Sequence, residues 1–429
     1  MILSITLACT SPALVADNLT TPAPPPSTTT PGTTVPIVPS ETVPPLPAES
    51  EEPPPPLPTW TFAVWMDGDN DLEVYVLHDI DELEHGGSDA NVQVVTQVDR
   101  IPGYAVGDGD WTGARRYEII EDAEDGVIKS PIVEELGEID MGDPNELAAF
   151  LDWTATNYPS DHLALVMWNH GSGWDLAPSE LISSDDTSGT EMSIAEGELT
   201  AALDAHVAEH GPIDVIAFDA CNMAAWEVAH SLQDHVVAMA ASEATVGGAG
   251  LQYNLALPVL RGNPAMSAVE FAGILADSAA GVGLEWTFSA TDLTQLDGVS
   301  QALDDLALLA LADPLLLEQV EVARSATRPG DPAYGDWVLD LGDFASQLTL
   351  STDPGLAAAG LELATALTTA VPANYTNGPV TFAGGLSVFG DPWRNEPYTD
   401  RYMFGDGATW SQDTHWDELL AALVETYEP

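Results

Sequence analysis

The chain is nearly without cysteine and nearly without positive charge. Only Cys9 and Cys221 occur among 429 residues. Two thiols cannot build a disulfide framework, so the fold must rest on a buried apolar core. Lys and Arg together number nine against 69 Asp and Glu, a formal net charge of −60. Lys129 is the sole lysine. No run of basic residues exists, which argues against nucleic-acid partners and against attachment to anionic membranes by charge. No segment after residue 16 has the roughly 20 uninterrupted apolar residues of a membrane span.

What remains is an acidic chain with 45% apolar residues, enough for a large globular body. The acidity has two compatible readings. One is a solvated surface suited to saline or extracellular surroundings, the other is steering of cationic substrates into an acidic cleft.

Residues 1–16 are small and apolar, ending Ser11-Pro12-Ala13-Leu14-Val15-Ala16, as an export signal does. The stretch is short and has no Lys or Arg before its apolar run, so a truncated signal is expected. Thr6-Leu7-Ala8-Cys9 is similar to a bacterial lipoprotein signal, which makes Cys9 a candidate lipidation site and a lipid tether to a membrane one outcome. A cleaved secretory signal is the other. Both place the protein outside the cell or on its surface. Residues 17–58 are rich in Pro, Thr and Ser, and end on Glu51-Glu52-Pro53-Pro54-Pro55-Pro56. Such a segment buries too little apolar surface to fold and reads as a disordered, extended linker. Residues 59–429 are then the folded domain.

Within that domain strands and helices alternate. Thr61–Met66 and Val92–Val98 read as strands, with a helix through Leu72, Val76, Ile80 and Leu83 between them. Residues 101–140 carry turn signals and a hairpin. A helix opens at Asp143-Pro144, and a polar insert spans 177–197. Helices are expected over 198–209, 222–233, 264–281, 296–325, 336–370 and 415–426, with strands at 236–241 and 385–389. The pattern predicts an α/β fold with a mostly parallel central sheet flanked by helices.

Two apolar runs end on reactive side chains. Leu163–Trp168 leads into Asn169-His170-Gly171-Ser172-Gly173, and Ile213–Phe218 leads into Asp219-Ala220-Cys221. In parallel sheets, sites form at the carboxyl ends of strands. A thiol and an imidazole delivered there together make a candidate Cys–His dyad. Gly171 allows close backbone approach, and its N–H could serve an oxyanion hole. Asp67, Asp69 and Asp71 alternate along a loop after the first strand. They are a candidate Ca²⁺ loop without the glycine of an EF-hand, and a plain turn before a helix is the rival reading.

These motifs resemble the clostripain family of cysteine peptidases, relatives of caspases, legumains and gingipains. The resemblance runs over most of residues 60–425. It includes Trp65–Glu73, Met141-Gly142-Asp143-Pro144, Trp168–Trp174, Phe218–Met223, Ser242-Glu243 and Phe288–Leu293. It implies a caspase-like α/β sandwich and endopeptidase activity on protein or peptide substrates. Cys221 would be the nucleophile, His170 the proton-transfer partner, and the N–H groups of Gly171 and Cys221 the oxyanion donors. It implies a dyad with no third residue and no cofactor for the chemistry, with Ca²⁺ as an optional ion. Asp219 would line the S1 pocket and select Arg, less often Lys, at P1, with Ser242 and Glu243 as a further wall. Asp219 could instead cap a helix over 222–233.

One departure stands out. Family members can activate themselves by cutting after a basic residue between the His and Cys motifs. No Lys or Arg occurs here between Lys129 and Arg261. Action as one chain, activation by another protease, and a different P1 preference all remain open. Two rival functions are a silent peptidase fold kept for surface binding and a calcium-dependent adhesion module. Both would leave Cys221 unreactive.

Overall fold

The computed structural model describes residues 57–175, 181–283, 286–333, 337–390 and 401–427. The expected export signal, Cys9 and the linker up to residue 56 lie outside the described residues.

In chain order the elements are β1 (Trp60–Gly68), α1 (Glu73–Gly86), β2 (Val92–Arg100), β3 (Ala114–Glu118), β4 (Ile132–Gly137), α2 (Pro144–Asn157) and β5 (His162–Trp168). There follow β6 (Ile182–Asp185), β7 (Thr190–Met192), α3 (Glu198–His210), β8 (Ile213–Asp219), α4 (Trp226–Leu232) and β9 (Val236–Ala241). The second half holds α5 (Tyr253–Gly262), α6 (Ala268–Ala276), β10 (Thr287–Asp292), α7 (Asp297–Leu311), α8 (Pro314–Ala326) and β11 (Val338–Asp340). It continues with α9 (Leu341–Leu348), α10 (Pro354–Ala370), β12 (Ala373–Thr376), β13 (Ser387–Phe389) and a C-terminal helix, Trp416–Tyr427.

Nine strands form one sheet in the order β12-β10-β9-β8-β5-β1-β2-β3-β4. The five central strands, β9 to β2, run parallel, and antiparallel strands close both wings. All nine residues of β1 are buried, as befits a strand covered on both faces. Its side chains divide by the two-residue period of a strand. Phe62, Val64 and Met66 pack with Val76 and Ile80 of α1, Tyr253 of α5 and Phe271 of α6. Ala63 and Trp65 pack on the other face with Phe150 of α2, Leu199 of α3 and residues of α7 and α10.

Several expected boundaries moved for identifiable reasons. The helix expected over 296–325 is two, because Asp313 caps a new helix at Leu315 N and Pro314 opens it. The helix expected over 336–370 begins only at Leu341, after the unexpected strand β11, and breaks likewise at Asp353-Pro354. The one expected over 222–233 begins only at Trp226, because Asn222 has φ 62, outside the helical region. The polar insert contains the β6–β7 hairpin. Strands β10 and β12 were not expected.

The core encloses unusual acid groups. Burial pushes the Glu227 carboxyl up to about 7 although Phe389 N and the Tyr402 hydroxyl donate to it. Burial does the same to Asp175, also to about 7, against hydrogen bonds from Ser193 and Ile194. Raised folded-state values mean that the native chain binds more protons than the unfolded one between about pH 4 and 7. This stabilisation is full below the unfolded values and is lost as pH rises through 7. A thermal midpoint higher at pH 5 than at pH 8, in calorimetry at fixed salt, is the expected result.

Candidate active site

The register of the central sheet builds the site. β5 and β8 are parallel neighbours with Trp168 beside Asp219. Two residues further along each chain stand His170 and Cys221. The two reactive residues therefore leave adjacent strands at one level, where strand spacing is about 4.8 Å.

Close packing of backbone holds this level. A Cβ added to Gly171 would lie 2.8 Å from the Cys221 carbonyl oxygen and 3.0 Å from Ala220 Cβ. Only glycine lets the His170 chain run so close to the Cys221 chain. Both proposed oxyanion donors, the N–H groups of Gly171 and Cys221, belong to this tight junction.

Cys221 is half-buried. Its sulfur accepts from Val246 N at 3.3 Å and lies 3.7 Å from Val246 O. A thiolate gains from such a donor. Asn222 then adopts a left-handed turn that asparagine tolerates. Its amide donates to Glu243 O and to the Asp331 carboxylate, both at 3.0 Å. Asp331 also accepts from the backbone and hydroxyl of Thr245, each at 2.7 Å. One buried carboxylate thus ties the turn after Cys221 to the loop that meets the thiol. No motif pointed to Asp331, which lies 110 residues downstream of Cys221 in sequence. Asp331→Ala leaves these donors unsatisfied and is expected to cost about 3 kcal/mol in denaturant unfolding.

His170 is mostly buried, and its Nε2 lies 2.8 Å from Asp71 Oδ1. The hydrogen bond from His170 holds the Asp71 carboxyl below its usual range. An Nε2–H donated to Asp71 leaves Nδ1 as the acceptor in the neutral ring. The sequence suggested a dyad with no third residue; the structure puts a carboxylate on the imidazole.

Asp219 is buried, and its Oδ2 accepts from the Tyr253 hydroxyl at 2.7 Å. Leu251 N approaches both carboxylate oxygens at 3.2 Å. Burial raises the Asp219 acid to about 6, against these hydrogen bonds. It caps no helix, since α4 starts after Ala225.

The expected second wall of the pocket needs correction. The Ser242 hydroxyl accepts from Ala244 N within its own turn. Glu243 is buried, and its carboxylate takes Gly385 N and faces Asp340. No contact among the described residues brings either side chain to Asp219. Glu243 thus points toward β11 and the segment that leads into β13.

The Asp67–Asp69–Asp71 grouping also needs correction. Successive turn residues diverge: Asp71 goes to His170, and Asp67 receives Asp69 N and the Ser183 hydroxyl. Asp69 instead meets Glu138 and Asp185, with ligand oxygens within 4.8 Å of one another. Asp99 stands by, with one buried oxygen lacking a partner. Burial, then Glu138 and Asp69, push its acid to about 9. Clustered hard oxygens of this kind suit Ca²⁺.

A mostly parallel sheet carrying an imidazole and a thiol level with each other at the ends of neighbouring strands defines a caspase-like α/β protein of the cysteine-peptidase class. The clostripain family model matches residues 64–327, more than half of the chain, and the protein belongs to that family. Clostripain of Hathewaya histolytica is 30% identical over 213 residues. That match spans 45% of this chain and 40% of the relative's own length. Among solved structures, a secreted C11 cysteine protease from Bacteroides thetaiotaomicron, bound to an irreversible peptide inhibitor, has a TM-score of 0.63 at 18% identity. It covers 82% of this chain and 99% of its own. An inactive zymogen C11 protease from Parabacteroides distasonis gives 0.60 at 18% identity, covering 85% of this chain and 99% of its own. At this identity the two likenesses establish the fold. No helix among the described residues is long and apolar enough to cross a membrane.

Proposed function

We propose that this chain is an exported cysteine endopeptidase that cuts peptide bonds after arginine, less often lysine. The observation that carries the reading is the common level of His170 and Cys221 at the ends of β5 and β8. The Cys221 thiolate attacks the scissile carbonyl, and the carbonyl electrons move onto oxygen toward the Gly171 and Cys221 N–H groups. The tetrahedral adduct collapses to a thioester as His170 delivers a proton to the leaving amine. His170 then takes a proton from water, which attacks the thioester and frees Cys221. An acid–base group so placed contributes roughly 10²–10⁴-fold. Asp71 supports this role by accepting from Nε2, so that Nδ1 can exchange the proton.

Arginine at P1 follows from Asp219. It ends β8 two residues before Cys221, and both side chains meet one segment, Cys221 at Val246 and Asp219 at Leu251. A guanidinium would meet it in a charge-assisted pair. Calcium belongs to this reading as a structural ion held by Asp69, Glu138 and Asp185. It would steady the loop that presents Asp71, and the chemical steps proceed without it. Export follows from residues 1–16, by a cleaved signal or by a lipid on Cys9.

The test is hydrolysis of fluorogenic peptides ending in Arg, Lys, Asn or Asp, with and without Ca²⁺. Preference for Arg, lost in Asp219→Asn, supports the reading. A preference for Asn or Asp would retain the peptidase and refute the S1 assignment.

A further inference from the structure

The S1 reading assigns one carboxylate, but the structure sets a second beside it. Asp79 on α1 is buried over the sheet face that carries Trp168 and Asp219. Its Oδ2 accepts from Trp168 Nε1 at 2.5 Å. Trp168 is the register partner of Asp219, so the two acids flank one indole. Asp79 Oδ1 is buried with no partner among the described residues. Glu82, one turn further along α1, accepts from Tyr253 N at 3.1 Å. The hydroxyl of the same tyrosine reaches Asp219.

Three buried acids stand in one place; the exposed His78 approaches only Glu82, at 3.7 Å, and no Lys or Arg among the described residues pairs with any of them. Every Lys and Arg among the described residues is engaged elsewhere: Arg100 with Glu73, Arg261 with Asp89 and Glu121, Arg328 with Asp343, and the others likewise. Asp219 already receives the Tyr253 hydroxyl and Leu251 N. A guanidinium has five N–H donors in a fixed fork, more than the remaining Asp219 lone pairs serve. The orphaned Asp79 oxygen offers the missing acceptor.

One short segment packs over both groups. Gly250 lies directly on the Asp219 carboxylate, and Val246 of the same segment lies on the Cys221 sulfur. Between them run Gly247, Gly248 and Ala249; the Tyr75 ring packs against Gly248, and the Gln252 amide donates to Ala249 O at 2.6 Å. The same segment thus covers both the thiol and the Asp219 carboxylate.

We infer that Asp79 is a second P1-recognising carboxylate, which with Asp219 forms a two-acid clamp for a guanidinium. The inference rests on Asp219 lining S1. The clamp discriminates: a planar guanidinium spans two carboxylates, whereas the compact lysine ammonium engages one well. Asp79 therefore sets the ratio of Arg to Lys cleavage, while Asp219 sets the need for a cation.

The test compares kcat/KM for matched P1-Arg and P1-Lys peptides in the full chain, Asp79→Asn and Asp219→Asn. Asp79→Asn keeps an oxygen for Trp168 Nε1. It is expected to lower P1-Arg cleavage roughly tenfold to a hundredfold, mainly through KM, and P1-Lys cleavage much less. The rate of Cys221 alkylation by iodoacetamide should not change. An unaltered Arg-to-Lys ratio overturns the inference while the S1 reading survives through Asp219→Asn. If Asp219→Asn leaves the preference for basic residues intact, the S1 reading fails and the clamp with it. The wild-type chain gives an independent measurement if a variant does not fold. Propylguanidine should raise its thermal midpoint more than butylamine does. Equal shifts, or none, overturn the clamp.

Discussion

Replacing Cys221 by alanine is expected to lower peptide hydrolysis by about 10⁴-fold or more, with the thermal midpoint nearly unchanged. The size follows from the chemistry: without sulfur no acyl-enzyme forms, and only binding and oxyanion donors remain. The small effect on stability follows from the packing. The side chain is small and only half-buried, so its loss removes little packing. His170→Ala is expected to cause a loss of similar order, because the thiol then lacks its proton partner. The two act as one device, so the double variant should be little worse than either single one. A multiplicative loss in steady-state kinetics would contradict the dyad.

Gly171→Ala carries the second large effect. The new methyl would meet the Cys221 carbonyl oxygen, Ala220 Cβ and Met223 Sδ, all within 3.1 Å. All three neighbours lie within residues 220–223 of the Cys221 chain, and a carbonyl cannot rotate away like a flexible side chain. The β5 and β8 ends must separate. A displacement near 1 Å at reacting atoms costs on the order of 10²-fold, and kcat for P1-Arg peptides should fall by at least that. Overpacking should also cost about 1–3 kcal/mol of stability. Kinetics normalised to titrated thiol will separate the two effects. An unchanged kcat would mean that the junction does not position the dyad.

Much of the central sheet was legible because its signal is local. Leu163–Trp168 and Ile213–Phe218 are continuous apolar runs, as strands buried on both faces must be. Each leads into a chemically distinctive residue, so the fold class could be read off and the two residues proposed as the dyad could be picked out. The caps were legible in principle: Asp313-Pro314 and Asp353-Pro354 mark helix starts inside Ala/Leu-rich stretches that otherwise read as unbroken helix. Strand β12, Ala373–Thr376, has no such signal and owes its state to pairing with β10. Pairings between distant polar residues were invisible. Asp71 and His170 are 99 residues apart, and Asn222 and Asp331 are 109 apart. Nothing in composition or period links such pairs; the topology brings them together. The Asp67 loop shows the opposite error, since residues two apart in sequence were grouped that the turn sends to three different partners.

The central claim is that Cys221 is a nucleophile served by His170 in a site that admits a cationic P1 side chain. The most direct measurement is mass spectrometry of the full chain after exposure to a peptidyl electrophile ending in arginine. One adduct per chain, located on Cys221 and formed much more slowly by His170→Ala or by an aspartate-ending reagent, is the predicted result. An unmodified Cys221 under conditions that leave the fold intact would contradict the account.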